Sequence, residues 1–219
     1  SIPESIIWAL TVALSNHVTL LLPITEIYFQ QNVITQVASI ILMDGIILLS
    51  IIAFFLELST KQNVNLFNFI KNLFLNPFIL SIIIGLLFLL LNFNIDQTPI
   101  EYTLSKLAAC VSPVGLFAIG ITLSFYTKNV INKLSVSISV LKLVISPIIL
   151  LLIGLVFFNA GLPAEIPGAF FVSVAPCGVT SIVLCAAYNV SPENIIKAIF
   201  VSTIASIGTI FFAIKYLTL

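Results

Sequence analysis

Two stretches of this chain place polar chemistry inside apolar runs. The first is SNHVTLLLP, Ser15 to Pro23, in which Asn16, His17 and Thr19 precede Pro23 and Glu26 follows one turn later. The second runs from Phe171 to Asn194, FVSVAPCGVTSIVLCAAYNVSPEN, where Pro176 and Gly178 interrupt a segment long enough to enter a bilayer. A helix broken in lipid leaves N–H and C=O groups that cost on the order of several kcal/mol each unless protein or ligand satisfies them. Such breaks belong inside a bundle, facing a cavity, and transporters build substrate sites from the half-helix ends. The plainer reading of either stretch alone is a proline kink healed by Ser or Thr hydroxyls. Two breaks separated by most of the chain point instead to an inverted-repeat transporter. NVITQVASIILMDGI after the first break and NVSPENIIKAIFVST after the second echo each other weakly, which adds minor support.

Other ionisable residues lie deep in apolar segments. Asp44 is near the middle of the second run and Lys142 about seven residues into the fifth. Charge at that depth is costly and rarely faces lipid. Asp44 is too short to reach water, so a coupling proton and a structural partner are equal readings for it. Lys142 has a long stem, and snorkelling to the cytoplasmic interface or a structural pair is favoured over attraction of an anion. His17, the sole histidine, titrates in the range proton coupling needs. A hydrogen-bonded packing role fits it equally.

Composition sets the class that must position these groups. The 219 residues are 60% hydrophobic and 7% charged, where soluble domains carry about 25% charged residues. An all-α integral membrane protein follows. Net charge is zero, leaving no basic field for nucleic acid and no polybasic tail for anionic lipid. All eight cations are lysines, so the bidentate clamp that arginine offers a carboxylate is missing. Cys110, Cys177 and Cys185 match no metal or haem spacing, and their odd number argues against a disulfide framework. No nucleophile–base pair, phosphate loop or metal cluster stands in a polar segment, so neither an enzyme nor a cofactor is expected. No signal peptide precedes the first apolar run.

Seven spans are predicted, at roughly 5–29, 33–58, 74–92, 102–125, 135–158, 166–188 and 193–217. The first and sixth are the interrupted ones. A short interfacial helix through Leu66, Phe67, Phe69 and Ile70 is expected in the polar stretch after the second span. Lys61, Lys71, Lys128 and Lys133 lie in alternate loops, while Asp96, Glu101 and Glu165 lie in the others. The lysine-bearing loops and the N-terminus are therefore placed in the cytoplasm, and the C-terminus outside despite Lys215.

APCGVTSIVLCAAYNVSPENI, Ala175 to Ile195, resembles the penultimate helix of the auxin efflux carrier family, which includes plant auxin carriers and bacterial permeases for malonate and related acids. SNHVTLLLP looks like the family's other crossover helix, with an Asn seven positions before a Pro. LNPFILSIIIGLLF, LAACVSPVGLFAIGITLS and LKLVISPIILLLIG resemble its sixth, seventh and eighth helices, so the similarity covers essentially the whole chain. The resemblance implies two inverted five-helix repeats, of which this chain would begin at the fourth helix, a partial version of the fold. It divides the chain into a first crossover unit at 1–58, a cytoplasmic loop at 59–73, half of a dimerising scaffold at 74–125 and a second crossover unit at 126–219. Relatives often carry Asn where Thr180 stands, and generally uncharged residues at Glu26 and Asp44.

Carriage of a small organic anion, a mono- or dicarboxylate, is the function this implies. Asn16, Pro23, Ser173, Pro176, Gly178, Thr180 and Ser181 would form the substrate site, with His17, Asp44 and Glu26 as candidates for proton coupling. A sodium-coupled relative of the bile-acid symporter type ranks lower, because few oxygen ligands are at hand. The competing reading is a non-transporting sensor or degenerate fragment that keeps the fold. A multi-pass protein of the cell membrane is expected, the inner membrane in a bacterium, and a homodimer if the chain is full length.

Overall fold

Long apolar runs without an early proline fold here as long helices, and the two polar interruptions break theirs. The computed structural model describes residues 1–60, 66–74, 77–126, 129–158 and 166–218. In chain order the helices are α1 (Ile2–Ala13), α2 (17–28), α3 (Gln31–Thr60), α4 (Leu66–Phe74), α5 (Pro77–Leu90), α6 (Pro99–Ser124), α7 (Lys133–Phe157), α8 (Pro167–Ser173), α9 (Thr180–Ala187) and α10 (Glu193–Leu217). Among the described residues no strand forms beyond one isolated bridge between Ser15 and Cys177. The chain is an all-α membrane protein.

Helices α3, α6, α7 and α10 are each long and apolar enough to cross a bilayer. Side chains such as Leu89, Leu152 and Phe212 point outward and are exposed, as suits a surface solvated by acyl chains. The interrupted segments appear as pairs, α1 with α2 and α8 with α9. The third predicted span is shorter than expected. Pro77 opens α5 and Asn92, at φ 50°, turns the chain soon after its end. Its 14 residues extend about 21 Å at ~1.5 Å per residue, short of a hydrocarbon core of ~30 Å. The small helix expected after the second span forms as α4, where Phe69 meets Phe54 of α3 at 5.3 Å between ring centroids. Lys61, Lys128 and Glu165, used above to orient the chain, lie outside the described residues.

Three helices contain a π turn, and the turns coincide with the interior ionisable residues. His17–Leu21 opens α2, Asp44–Leu48 lies inside α3 and Leu141–Ile145, which contains Lys142, lies inside α7. Two of them immediately precede a proline, Pro23 and Pro147. Proline lacks an N–H and its ring crowds the carbonyl four residues back; widening the preceding turn relieves that crowding. Pro23 leaves the Thr19 carbonyl without its usual donor, and the Ser112 hydroxyl of α6 donates to that oxygen at 2.5 Å.

Packing divides around the breaks. One buried cluster gathers Ile7, Leu56, Cys177, Cys185 and Ile199 around α1 and α9. The other gathers Leu21, Val37, Phe171, Val174 and Ile210 around α2 and α8. Helix α7 runs along α10, α8 along α3, and α6 touches the π turn of α2. Close approach of α8 to α3 depends on Gly168, whose N–H donates to Gln36 Oε1 at 2.9 Å. A Cβ at this position would overlap the Gln36 Cβ, an atom that cannot swing away. Gly168→Ala should therefore cost ~1–3 kcal/mol by overpacking, read as a lower unfolding temperature in detergent micelles; an unchanged temperature would contradict this packing.

Candidate functional site

The site is the place where the two breaks cross. Helix α1 ends because Leu14 turns to an extended conformation, φ −75° and ψ 131°. On the other side, Pro176 cannot donate into a helix and disfavours helical geometry at the residue before it. The two exposed lengths of main chain satisfy each other. Asn16 N–H donates to the Pro176 carbonyl at 2.9 Å, and Gly178 N–H donates to the Leu14 carbonyl at 2.8 Å, an antiparallel exchange on either side of Ser15 and Cys177. A glycine is required at 178, since an added Cβ would lie 2.9 Å from Leu14 Cγ and 3.0 Å from its carbonyl oxygen.

Side chains from neighbouring helices take up the remaining main-chain groups. Ser15 donates through its hydroxyl to Val172 O at 2.9 Å, and Thr209 of α10 donates to Val174 O at 2.9 Å. Ser202, also of α10, accepts from Cys177 N–H at 3.2 Å. Lys142 donates from Nζ to Ala13 O at 3.1 Å. It is 1% exposed, which overturns the snorkelling reading. The carbonyl end of a broken helix carries partial negative charge, and the long side chain answers it rather than reaching for water.

Two buried polar atoms have no partner among the described residues, Asn16 Nδ2 and Ser181 Oγ. They flank the crossing from opposite breaks. Asn16 Oδ1 accepts from the Thr19 hydroxyl, which leaves the amide nitrogen as its free donor. Thr180 and Ser181 are the first two residues of α9, and first-turn N–H groups have no acceptor within their own helix. The arrangement thus offers an amide donor, a hydroxyl and main-chain N–H groups around one place.

Beside it, His17 Nε2 lies 3.0 Å from Asp44 Oδ2, linking the π turns of α2 and α3. His17 is buried and Asp44 partly so.

Of the other residues singled out by sequence, Pro176 and Gly178 make the main-chain bonds of the crossing. Pro23 lies a turn and a half beyond, shaping α2 and offering no donor. Ser173 is buried at the end of α8, its hydroxyl donating to Phe170 O at 2.7 Å. Glu26 is exposed on the far half of α2 and makes no hydrogen bond or ion pair among the described residues. Ser15, Ser112, Ser202 and Thr209 were not singled out as site residues. Ser15 stands beside the polar triplet and Ser112 beside Pro113, a faint signal; Ser202 and Thr209 give none.

Half-helix ends meeting within an all-α membrane bundle define the architecture of a membrane transport protein. A family model described as membrane transport protein matches residues 2–214. With nearly the whole chain matched, the chain belongs to that family, the one that contains the auxin efflux carriers. No curated protein matches the chain.

Gly178→Ala tests the crossing directly. Forcing the added Cβ against Leu14 should cost ~1–3 kcal/mol and speed hydrogen exchange of the Asn16 amide about tenfold or more; unchanged exchange at Asn16 would mean that the two breaks are not held by these bonds.

Proposed function

We propose that this protein is a secondary carrier of small organic anions, mono- or dicarboxylates, that holds the substrate carboxylate at the crossing. The observation that carries the reading is the pair of unpartnered buried donors, Asn16 Nδ2 and Ser181 Oγ. Buried polar groups are nearly always paired, and leaving one unpaired costs ~1–3 kcal/mol. A carboxylate is acceptor-only with two oxygens, so it fits donors from opposite breaks, with the positive end of α9 adding a favourable field. Thr180 contributes one hydroxyl where an amide would offer two donors.

Alternating access follows from movement of α1–α3 and α7–α10 against α5 and α6, with the substrate carried at the crossing. The reciprocal bonds between the breaks support an inverted-repeat origin for the two halves. His17 and Asp44, bonded to each other one element away from the substrate, carry the coupling proton; Glu26, exposed and unpaired, is a weaker candidate. The carrier works in the cell membrane.

Counterflow of radiolabelled malonate in liposomes tests the carrier. Asn16→Ala and Ser181→Ala should each lower malonate affinity, by about tenfold or more for loss of a hydrogen bond to a charged group worth ~1.5–3 kcal/mol. Malonate binding without counterflow in the wild type would favour the sensor reading instead. In the same assay His17→Gln and Asp44→Asn should flatten the dependence of uptake on pH, and unaltered profiles in both would remove the pair from coupling.

A further inference from the structure

Two lysines are buried among the described residues, and they are used differently. Lys197 donates to Glu193 at 2.6 Å, one turn back along α10. Lys142 has no carboxylate at hydrogen-bond distance. Its one hydrogen bond among the described residues goes to the Ala13 carbonyl, although an ammonium has three donors. Its charge interacts with Cys177 on the facing break and with Asp44, but the Asp44 carboxylate is engaged by His17. Taking an ammonium out of water carries a steep desolvation cost, and a single carbonyl is poor compensation. An incompletely balanced positive charge therefore sits against the crossing, where Asn16 Nδ2 and Ser181 Oγ also lack partners. All three deficits are met by the same thing, an anion.

We propose that Lys142 is the resident counter-charge of the crossing: its ammonium, seated on the carbonyl end of α1, selects an ionised carboxylate over a neutral solute and takes the place of an inorganic cation. This rests on the carrier reading above. The ammonium is tethered to α7, so it travels with the substrate, and no sodium ion has to be recruited to the negative end of α1.

The test uses the full chain in liposomes with malonate and its neutral diamide as probes. Lys142→Met should weaken malonate binding at least tenfold while leaving diamide binding within about twofold, and Lys142→Arg should restore most of the preference for the anion. A merely structural lysine would weaken both probes together, and that result would overturn the proposal. Replacing sodium by choline should leave malonate counterflow by the wild type unchanged. Sodium-dependent counterflow would overturn the proposal even if the Lys142 variants failed to fold. Equal malonate binding by wild type and Lys142→Met would sink the counter-charge alone, whereas no malonate binding by the wild type would sink the carrier reading with it.

Discussion

Main-chain polarity in a medium without water is the constraint on which this structure depends. In a bilayer every N–H and C=O must find a partner within the protein, and two helices of this chain stop midway. Each break serves as the partner of the other, through reciprocal bonds between Leu14–Asn16 and Pro176–Gly178. The groups left over are met by side chains from α7 and α10 and by Ser15 itself. Lipid removes most of the hydrophobic drive for one helix to seek another. Interhelical hydrogen bonds of ~0.6–2 kcal/mol each, together with close contacts at Gly168 and Gly178, therefore decide how the helices meet.

The same constraint places the chemistry. Prolines 23 and 147 follow turns widened to five-residue hydrogen bonding, and those turns carry His17 and Lys142. Widening tilts carbonyls off the helix axis, which is how Ser112 of α6 reaches Thr19 O. Only at Asn16 and Ser181 does the accounting fail to close. A bundle that satisfies so many awkward groups and leaves two donors bare at one crossing is organised around something that arrives from outside.

Much of this was readable in the residues. Pro176 with Gly178 announced the second break, because one cannot donate and the other permits close approach. Asn16 before Pro23 announced the first, although Pro23 itself lies beyond the gap rather than in it. Asp44 and His17 were each noticed as charge-bearing groups in apolar surroundings. Their pairing was not, since 27 residues separate them and the π turns that bring them together arise from packing. Lys142 was misjudged for a related reason. Its stem length is a local property, but the carbonyl it seeks belongs to a residue 129 positions away. The span at 74–92 was overestimated because hydropathy counts apolar residues and ignores where Pro77 and Asn92 let a helix begin and end.

The π turn in α3 has a consequence for the chain as a string of residues. It amounts to one surplus amino acid threaded into an otherwise regular helix. Excising a single residue from 45–48 would let α3 close into an ordinary helix and would roll everything after it by ~100° relative to everything before. Leu56, packed beside Ile7 in the inner cluster, would then be turned out of that cluster, even though no apolar position had been altered. Length in this segment is therefore as strictly conditioned as composition.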